Sequence, residues 1–184
     1  MVLKFGGTSV ADVPQIKKIA LKIKNEVDQG NKVIVVVSAM AGVTNSLIDL
    51  TKSASDKPLS SEYDVVLSTG EQVTSALLAI SLDNINIKAR SWLGWQVPII
   101  TDKSHGKAII EEIKTDQILE FLKQSQVAII SGFQGISKEN RISTLGRGGS
   151  DTSAVAIAAS IDADFCDIYT DVDGVYTTDP NKVP

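Results

Sequence analysis

The stretch Val2-Leu3-Lys4-Phe5-Gly6-Gly7-Thr8-Ser9 opens the chain with a short apolar run, which ends in two glycines and two hydroxyl side chains. Next comes a segment with Asp12 placed to cap a helix, Pro14 in its first turn and apolar residues at helical spacing up to Val27. A second apolar run covers 33–38. Because a strand, an amphipathic helix and a strand follow one another, residues 2–38 predict a βαβ unit.

The rest of the chain continues this alternation. Further strands are predicted at 88–93, 127–132 and 167–171, and further helices at 44–53, 61–82, 115–124 and 150–161. The last helix is apolar on nearly every side, which predicts that it is buried. Residues 135–145 predict a hairpin. The pattern indicates an α/β protein, a three-layer α/β/α sandwich with a mostly parallel central sheet, in one domain.

Composition and charge narrow the functional class. Acidic residues outnumber basic ones by 22 to 18 in the 184 residues, so the basic character of a nucleic-acid-binding protein is missing. The N-terminus lacks the apolar segment of a secretory signal, and no apolar run reaches the 18 or so residues that cross a bilayer. Cys166 is the only cysteine, which favours a reducing compartment. We therefore expect a cytoplasmic protein that binds neither nucleic acid nor membranes.

Two loops that leave predicted strands are suited to binding phosphate. Lys4, Gly6 and Gly7 offer a cation and backbone amides that no Cβ shields, although the spacing is neither that of a Walker A loop nor that of a dinucleotide-binding loop. The second loop begins at Ser38 and leads into a helix through small residues. If the strands are adjacent and parallel, both loops lie at the carboxyl edge of the sheet, where open α/β folds bind ligands. The alternative is a pair of ordinary turns.

Two later segments are rich in glycine or aspartate. Residues 144–153 carry three glycines and Arg147 ahead of a helix, which suits an anion, although Ser150 as N-cap with Asp151 in the first turn would explain part of the pattern. Residues 170–180 resemble a calcium-binding loop at first sight. The glycine and the final glutamate that an EF-hand requires are misplaced or missing, so we reject a metal loop there.

Two isolated polar residues have less specific surroundings. Glu71 follows Gly70 within a predicted helix, where it could mark a helix start or face a substrate, but its own context favours a solvent-exposed helix face. His105 is the only histidine and lies in a polar loop. A histidine-based catalytic triad and a multi-histidine metal site are therefore excluded, and we predict no protein metal site.

Five motifs in a fixed order resemble those of the aspartokinase family of the amino acid kinase superfamily. They are KFGGTSV from Lys4, SAMAGVTNSL from Ser38, STGEQVTSALL from Ser68, GRGGSDTSA from Gly146 and TDVDGVYTTDP from Thr170. The resemblance covers nearly the whole chain. It implies the amino acid kinase fold and ATP-dependent phosphorylation of the L-aspartate side-chain carboxylate to 4-phospho-L-aspartate, the first step toward lysine, threonine and methionine. It also leads us to expect a homo-oligomer.

The resemblance further implies roles for single residues. Lys4 and Asp151 would be catalytic, with Asp151 orienting the lysine. L-aspartate would be held by Thr44, Glu71, Arg147 and Ser150, with Arg147 on the α-carboxylate and Glu71 on the ammonium group. The nucleotide would be bound by Lys4, Phe5, Gly6, Gly7, Ser38, Thr170, Asp171 and Tyr176. Mg²⁺ would accompany ATP and be held largely by phosphate oxygens and water.

The loop chemistry at the end of the sequence, up to Pro184, normally leads into another element. Compared with the family, later kinase elements and the ACT domains that bind an inhibitory amino acid are missing. Residues 1–184 are therefore expected to form one amino acid kinase catalytic domain that is incomplete at its C-terminal end. Two alternatives stay open: a non-catalytic nucleotide-binding fragment, and another amino acid kinase, such as a carbamate, glutamate or uridylate kinase, with a different acceptor.

Overall fold

The computed structural model describes residues 1–124, 126–146 and 148–170. Helices and strands alternate along these residues much as the sequence predicts. In chain order, the elements are β1 (Val2–Phe5), α1 (Val13–Asp28), β2 (Ile34–Val37), α2 (Val43–Ala54), α3 (Ser60–Asp83), β3 (Ala89–Trp92), β4 (Ile99–Thr101), β5 (Ile110–Ile113), α4 (Asp116–Lys123), β6 (Val127–Ser131), β7 (Gln134–Ser137), β8 (Ile142–Thr144), α5 (Gly149–Ser160) and β9 (Cys166–Tyr169).

The central sheet contains every strand that was predicted outside the hairpin. Within the described residues its order is β3-β6-β2-β1-β9, and all neighbouring strands are parallel. Its middle strands are buried along their whole length, because helices cover both faces. Helices α1 and α3 pack on one face, around Ile16 and Leu78. Helices α4 and α5 pack on the other, around Ile118 and Ile157, which confirms the three-layer α/β/α sandwich.

A second, smaller sheet flanks the site described below. Its order in the described part of the chain is β5-β4-β7-β8, with antiparallel pairs at both ends and a parallel pair between β4 and β7. The predicted hairpin at 135–145 is confirmed as β7 and β8. Strands β4 and β5 were not predicted. This sheet places the end of β8 beside α3.

The helices α1 and α5 test two predictions that were made from local sequence. The α1 helix begins as predicted, because the Asp12 side chain accepts a hydrogen bond from Gln15 N at 2.8 Å. For α5 the prediction of burial on nearly every side was wrong, since Val155 is 54% exposed. The face that meets the central sheet, including Ala154 and Ile157, is covered, and the helix also contacts β5 and β7 of the second sheet, but these contacts leave Val155 exposed.

Helix α3 is the longest element of the described chain and passes close to the site. By length and composition alone this helix could cross a membrane, although the sequence contains no continuous apolar run of that length. Its interior face nevertheless carries the buried carboxylates of Asp64 and Glu71. It packs against α1, β3 and β8, as expected for the core helix of a sandwich.

Candidate active site

The carboxyl ends of β1 and β2 lie side by side and form the base of the site. The two strands pair in parallel with Phe5 opposite Val37, and Ser38 N donates to Phe5 O at 3.1 Å. The loop after each strand therefore leaves the sheet at the same edge, as predicted. A cleft of about 530 Å³ opens there. Among the residues predicted to be functional, its lining includes Lys4, Gly7, Ser38, Thr44, Glu71, Ser150 and Asp151.

Lys4 supplies the positive charge of the cleft. It projects from a buried strand and is only 6% exposed. Its Nζ lies 2.5 Å from Oδ1 of Asp151, which sits in the first turn of α5 and has a side chain that is 46% exposed. An ammonium group in such surroundings needs a counter-charge, and Asp151 provides it from across the cleft. The ion pair fixes the position of the lysine without filling the space in front of it.

Glu71 supplies a buried negative charge in the same cleft. It is 3% exposed, so the expectation of a solvent-exposed helix face was wrong. One carboxylate oxygen, Oε1, accepts a hydrogen bond from Ala39 N at 3.1 Å. The other, Oε2, is buried and has no hydrogen-bond partner among the described residues. Burial raises the pKa of the Glu71 carboxyl from 4.5 to about 7, and the Ala39 hydrogen bond opposes part of that rise.

Gly70 explains how Glu71 reaches the loop after β2. The helix is continuous through this position, so Gly70 does not mark a helix start as one interpretation of the sequence suggested. A Cβ on Gly70 would lie 2.8 Å from the Cβ of Ala39, closer than real Cβ atoms approach. The missing side chain lets the loop lie directly on α3. That close approach is what allows Ala39 N to meet the Glu71 carboxylate.

Two helices begin at the cleft with amides that no side chain caps. The N-cap of α2 is Gly42, with φ 79°, and the N-cap of α5 is Gly148, with φ 72°. Both glycines line the cleft, and both adopt the left-handed conformation that favours glycine. Ser150 is therefore not the N-cap of α5, since the helix starts one residue earlier. Uncapped amides at the positive end of a helix attract anions, so both helix starts are suited to phosphate or carboxylate groups.

The remaining predicted residues lie behind the cleft or outside the described chain. Phe5 stacks on Tyr169 with ring centroids 4.8 Å apart, and Gly6 N donates to Tyr169 O at 3.1 Å. Thr170 follows directly at the exposed end of β9. Arg147, Asp171 and Tyr176 lie outside the described residues. The roles given to all these residues remain predictions.

A cluster around Asp64 was missed by the sequence analysis. This carboxylate is fully buried on α3, and its Oδ2 lies 2.7 Å from Nδ1 of His105. It also accepts hydrogen bonds from Gly106 and Thr144, two residues that line the cleft. Since 41 residues separate Asp64 from His105 and 80 separate it from Thr144, no local pattern could reveal the cluster. Its only sequence signal is an acid on the predicted inner face of a helix.

The sequence of this chain is similar to those of known kinases. Residues 1–184 match the sequence profile described as "Amino acid kinase family". The chain is 55% identical over 187 residues to an aspartokinase of Rickettsia conorii, covering 100% of this chain and 47% of that protein. It is 52% identical over 184 residues to an aspartate kinase of Pseudomonas putida, covering 100% of this chain and 45% of that protein. The chain thus spans about half the length of these relatives.

Solved structures show the same fold. The aspartate kinase of Synechocystis superposes with a TM-score of 0.81 at 48% identity, covering 100% of this chain and 30% of that one. Aspartokinase III of E. coli, solved in complex with aspartate and ADP, superposes with a TM-score of 0.84 at 27% identity, covering 98% of this chain and 51% of that one. An isopentenyl phosphate kinase, at 19% identity and a TM-score of 0.64, shares the fold alone.

Proposed function

We propose that this chain, which belongs to the amino acid kinase family, phosphorylates the side-chain carboxylate of L-aspartate with ATP. The products are 4-phospho-L-aspartate and ADP, at the start of the route to lysine, threonine and methionine. One observation carries the proposal: a buried cation, Lys4, and a buried anion, Glu71, line one cleft at the carboxyl edge of the sheet. Such a cleft suits a polyphosphate together with an acceptor that carries an ammonium group.

The chemistry needs positioning and charge neutralisation more than acid–base catalysis. A side-chain carboxylate is already ionised at neutral pH, so the acceptor needs no base to become a nucleophile. Its oxygen attacks the γ-phosphorus of ATP, the bond from that phosphorus to the β–γ bridging oxygen breaks, and ADP leaves with the electron pair. Lys4 stabilises the negative charge that the phosphoryl oxygens carry during transfer, and Asp151 holds the lysine in place.

The acceptor is held by its two charged ends. The oxygen Oε2 of Glu71, which lacks a partner among the described residues, receives the ammonium group of aspartate. Thr44 and Ser150, at the starts of α2 and α5, offer hydroxyl groups and helix amides to the carboxylates. Arg147 binds the α-carboxylate in a bidentate manner, an assignment that rests on the family resemblance.

The nucleotide occupies the side of the cleft nearest β1 and β2. Gly7 presents its backbone amide and Ser38 its hydroxyl group to the phosphates, while the amides of Gly6 and Ser38 hold the two loops to Tyr169 O and Phe5 O. Phe5 lies beneath this segment, and Thr170, Asp171 and Tyr176 line the adenosine side. Mg²⁺ enters with ATP and neutralises phosphate charge. The described residues contain no group of three His, Cys, Asp or Glu side chains that could hold a metal ion. As the family resemblance implies, phosphate oxygens and water would supply most of the ligands of Mg²⁺.

The composition and the family resemblance also support a proposal about the compartment and the assembly of the protein. We propose that residues 1–184 act as an amino acid kinase catalytic domain, in the cytoplasm where ATP is available, and that the protein is a homo-oligomer.

The experiment measures which acceptor receives the phosphoryl group. Incubation with ATP, Mg²⁺ and L-aspartate in the presence of hydroxylamine should yield aspartyl hydroxamate, because hydroxylamine traps acyl phosphates. Parallel reactions with glutamate, carbamate and UMP test the other acceptors of the family through the release of ADP, because hydroxylamine does not trap a phosphoanhydride such as UDP. Hydroxamate formation with aspartate that is strongly reduced in Glu71→Gln at low aspartate concentration supports the proposal. Product with UMP or carbamate and none with aspartate would contradict it, and ADP binding without turnover on any acceptor would favour a non-catalytic nucleotide-binding protein.

A further inference from the structure

Asp64 is a buried carboxylate that the proposed reaction does not use. Its Oδ2 accepts hydrogen bonds from Gly106 N at 3.1 Å and Thr144 N at 3.0 Å, in addition to its contact with His105. Its Oδ1 accepts from the Thr144 hydroxyl at 2.6 Å. Burying a carboxylate is costly unless such donors surround it, so this cluster holds together as one unit.

The donors belong to two segments that lie far apart along the chain. His105 and Gly106 are in the connection between β4 and β5, while Thr144 is the last residue of β8. A backbone hydrogen bond from Ala108 N to Thr144 O, 3.0 Å long, joins the two segments directly. Asp64 therefore fastens the second sheet and its β4–β5 connection to helix α3.

This attachment point adjoins both halves of the proposed acceptor site. After Thr144 the chain continues through Leu145 and Gly146 into the start of α5, and these residues line the cleft. On α3, Glu71 lies seven residues after Asp64, which places it on the same helix face about 10 Å along the axis. The spacing between Glu71 and the glycine-rich segment thus depends on the Asp64 cluster.

We propose that Asp64 is a positioning residue for the amino-acid acceptor, because it sets the distance between α3 and the glycine-rich segment that begins after Thr144. The inference rests on the proposed function, which places the acceptor between these two elements. Lys4 and Gly7, by contrast, belong to β1 and the loop after it, which are held by pairing with β2 and β9. Loss of the cluster should therefore weaken acceptor binding and leave ATP binding largely intact.

Replacing Asp64 with asparagine or with alanine distinguishes the loss of its negative charge from the loss of its hydrogen bonds. In Asp64→Asn the amide oxygen can accept from Gly106 and Thr144 backbone groups, and the amide nitrogen can donate to the Thr144 hydroxyl, which also accepts. Asp64→Ala removes every one of these contacts. Thr144→Val removes only the hydrogen bond from the Thr144 hydroxyl to Asp64, so it is a milder substitution to use if Asp64→Ala folds poorly. The matched control is Ser75→Ala on the same helix, which loses a buried bond of 3.0 Å to Ser131 in the central sheet.

Steady-state kinetics test the proposal. Asp64→Ala should raise the KM for aspartate about tenfold or more while the KM for ATP stays within about twofold. Thr144→Val should raise the KM for aspartate by a smaller factor and should also leave the KM for ATP within about twofold. Asp64→Asn should recover most of the aspartate affinity, and Ser75→Ala should resemble the wild type. Equal increases in both KM values, or an asparagine variant as impaired as the alanine variant, would overturn the positioning role.

Amide hydrogen exchange provides a measure that does not depend on the acceptor. Asp64→Ala and Thr144→Val should accelerate exchange about tenfold or more at Leu145 and Gly149, whose amides donate hydrogen bonds to Phe133 O and Gly146 O, and Ser75→Ala should not. A wild-type protein that fails to phosphorylate aspartate contradicts the proposed function, but this comparison still decides the positioning role. Unchanged exchange at these two amides in both cluster variants would overturn it for any acceptor.

Discussion

Lys4 and Glu71 are two buried ionisable residues in one cleft, and they differ in the partners that their charged groups have. Lys4, 6% exposed, meets Asp151 at 2.5 Å, so its charge is already neutralised before any ligand binds. Glu71, 3% exposed, receives one backbone hydrogen bond on Oε1, while Oε2 has no partner within the described residues. Lys4, on the side where we propose that phosphate binds, therefore has its counter-charge in the free protein. Glu71, on the proposed acceptor side, keeps a buried carboxylate oxygen available for a cation.

This difference indicates how the two sides contribute to function. A paired lysine is held rigidly and can stabilise charge in the transition state without moving. A buried carboxylate with an available oxygen is costly in the free protein, and a bound ammonium group offsets that cost. We therefore expect Lys4 to act mainly on the rate of transfer and Glu71 mainly on acceptor binding and on the pH dependence of stability.

The largest expected effect is at Lys4. Replacement with alanine, Lys4→Ala, should lower kcat for phosphoryl transfer by about 100-fold or more, since one such cation stabilises a transition state by roughly 3 kcal/mol. The fold should survive, because Asp151 is half exposed and can be solvated once its partner is lost. Steady-state kinetics and circular dichroism measure the two properties together.

Lys17→Ala is the matched control, because Lys17 is an exposed lysine on α1 away from the cleft. It should retain the kcat of the wild type. A Lys4→Ala variant with nearly unchanged kcat would show that the Lys4–Asp151 pair is structural, and the contrast with Glu71 would then disappear.

The next effect is the pH dependence of stability that Glu71 causes. Its pKa is about 7 in the folded protein and 4.5 as the ordinary value, so the folded state holds a proton that the unfolded state releases between these values. The contribution of Glu71 to stability is therefore greatest below pH 4.5 and is lost as the pH rises through 7. The loss amounts to about 3 kcal/mol in the free energy of unfolding.

Denaturant unfolding of the wild type and Glu71→Gln at several pH values measures this contribution. The difference in free energy of unfolding between the two proteins should change by about 3 kcal/mol between pH 4.5 and 7, because glutamine does not titrate. Glu62→Gln, an exposed acid on the same helix, should run parallel to the wild type. Parallel curves for Glu71→Gln as well would mean that the Glu71 carboxylate is ionised and well solvated, like an ordinary surface acid.

The smallest effect in this series concerns Arg147, the proposed partner of the α-carboxylate. Arg147→Lys should raise the KM for aspartate about tenfold and leave the KM for ATP nearly unchanged, because lysine cannot reproduce a bidentate contact. Together with Glu71→Gln, it separates recognition of the carboxylate from recognition of the ammonium group. If both KM values rise equally, Arg147 belongs with Lys4 on the phosphate side.

The middle strands β1, β2 and β6 of the central sheet were predictable because they are mostly apolar and buried along their whole length. Strands β4 and β5 were missed, since β4 has only three residues and β5 exposes Glu111 and Glu112 in its middle. Such strands form because a distant strand pairs with them, as β7 does with β4. Local patterns do not carry that information.

The site was predictable to a different extent on its two sides. The loops after β1 and β2 could be placed together because parallel strands align their carboxyl ends. The burial of Glu71 was missed because an acid usually lies on an exposed helix face, although Glu71 shares the buried stripe of α3 with Leu67 and Leu78. The family resemblance placed Glu71 at the substrate, whereas its local sequence context did not.

The pKa of Glu71 links acceptor binding to proton release. Because the pKa of this carboxyl is about 7, a part of the free molecules carries a proton on it near neutral pH. If Glu71 binds the ammonium group as proposed, the bound form needs the ionised carboxylate, so acceptor binding near neutral pH should release protons to the buffer. The measured heat of aspartate binding should then depend on the ionisation enthalpy of the buffer. Gly70, by admitting Ala39 to the Glu71 carboxylate, would then help to set the number of protons released when the proposed acceptor binds.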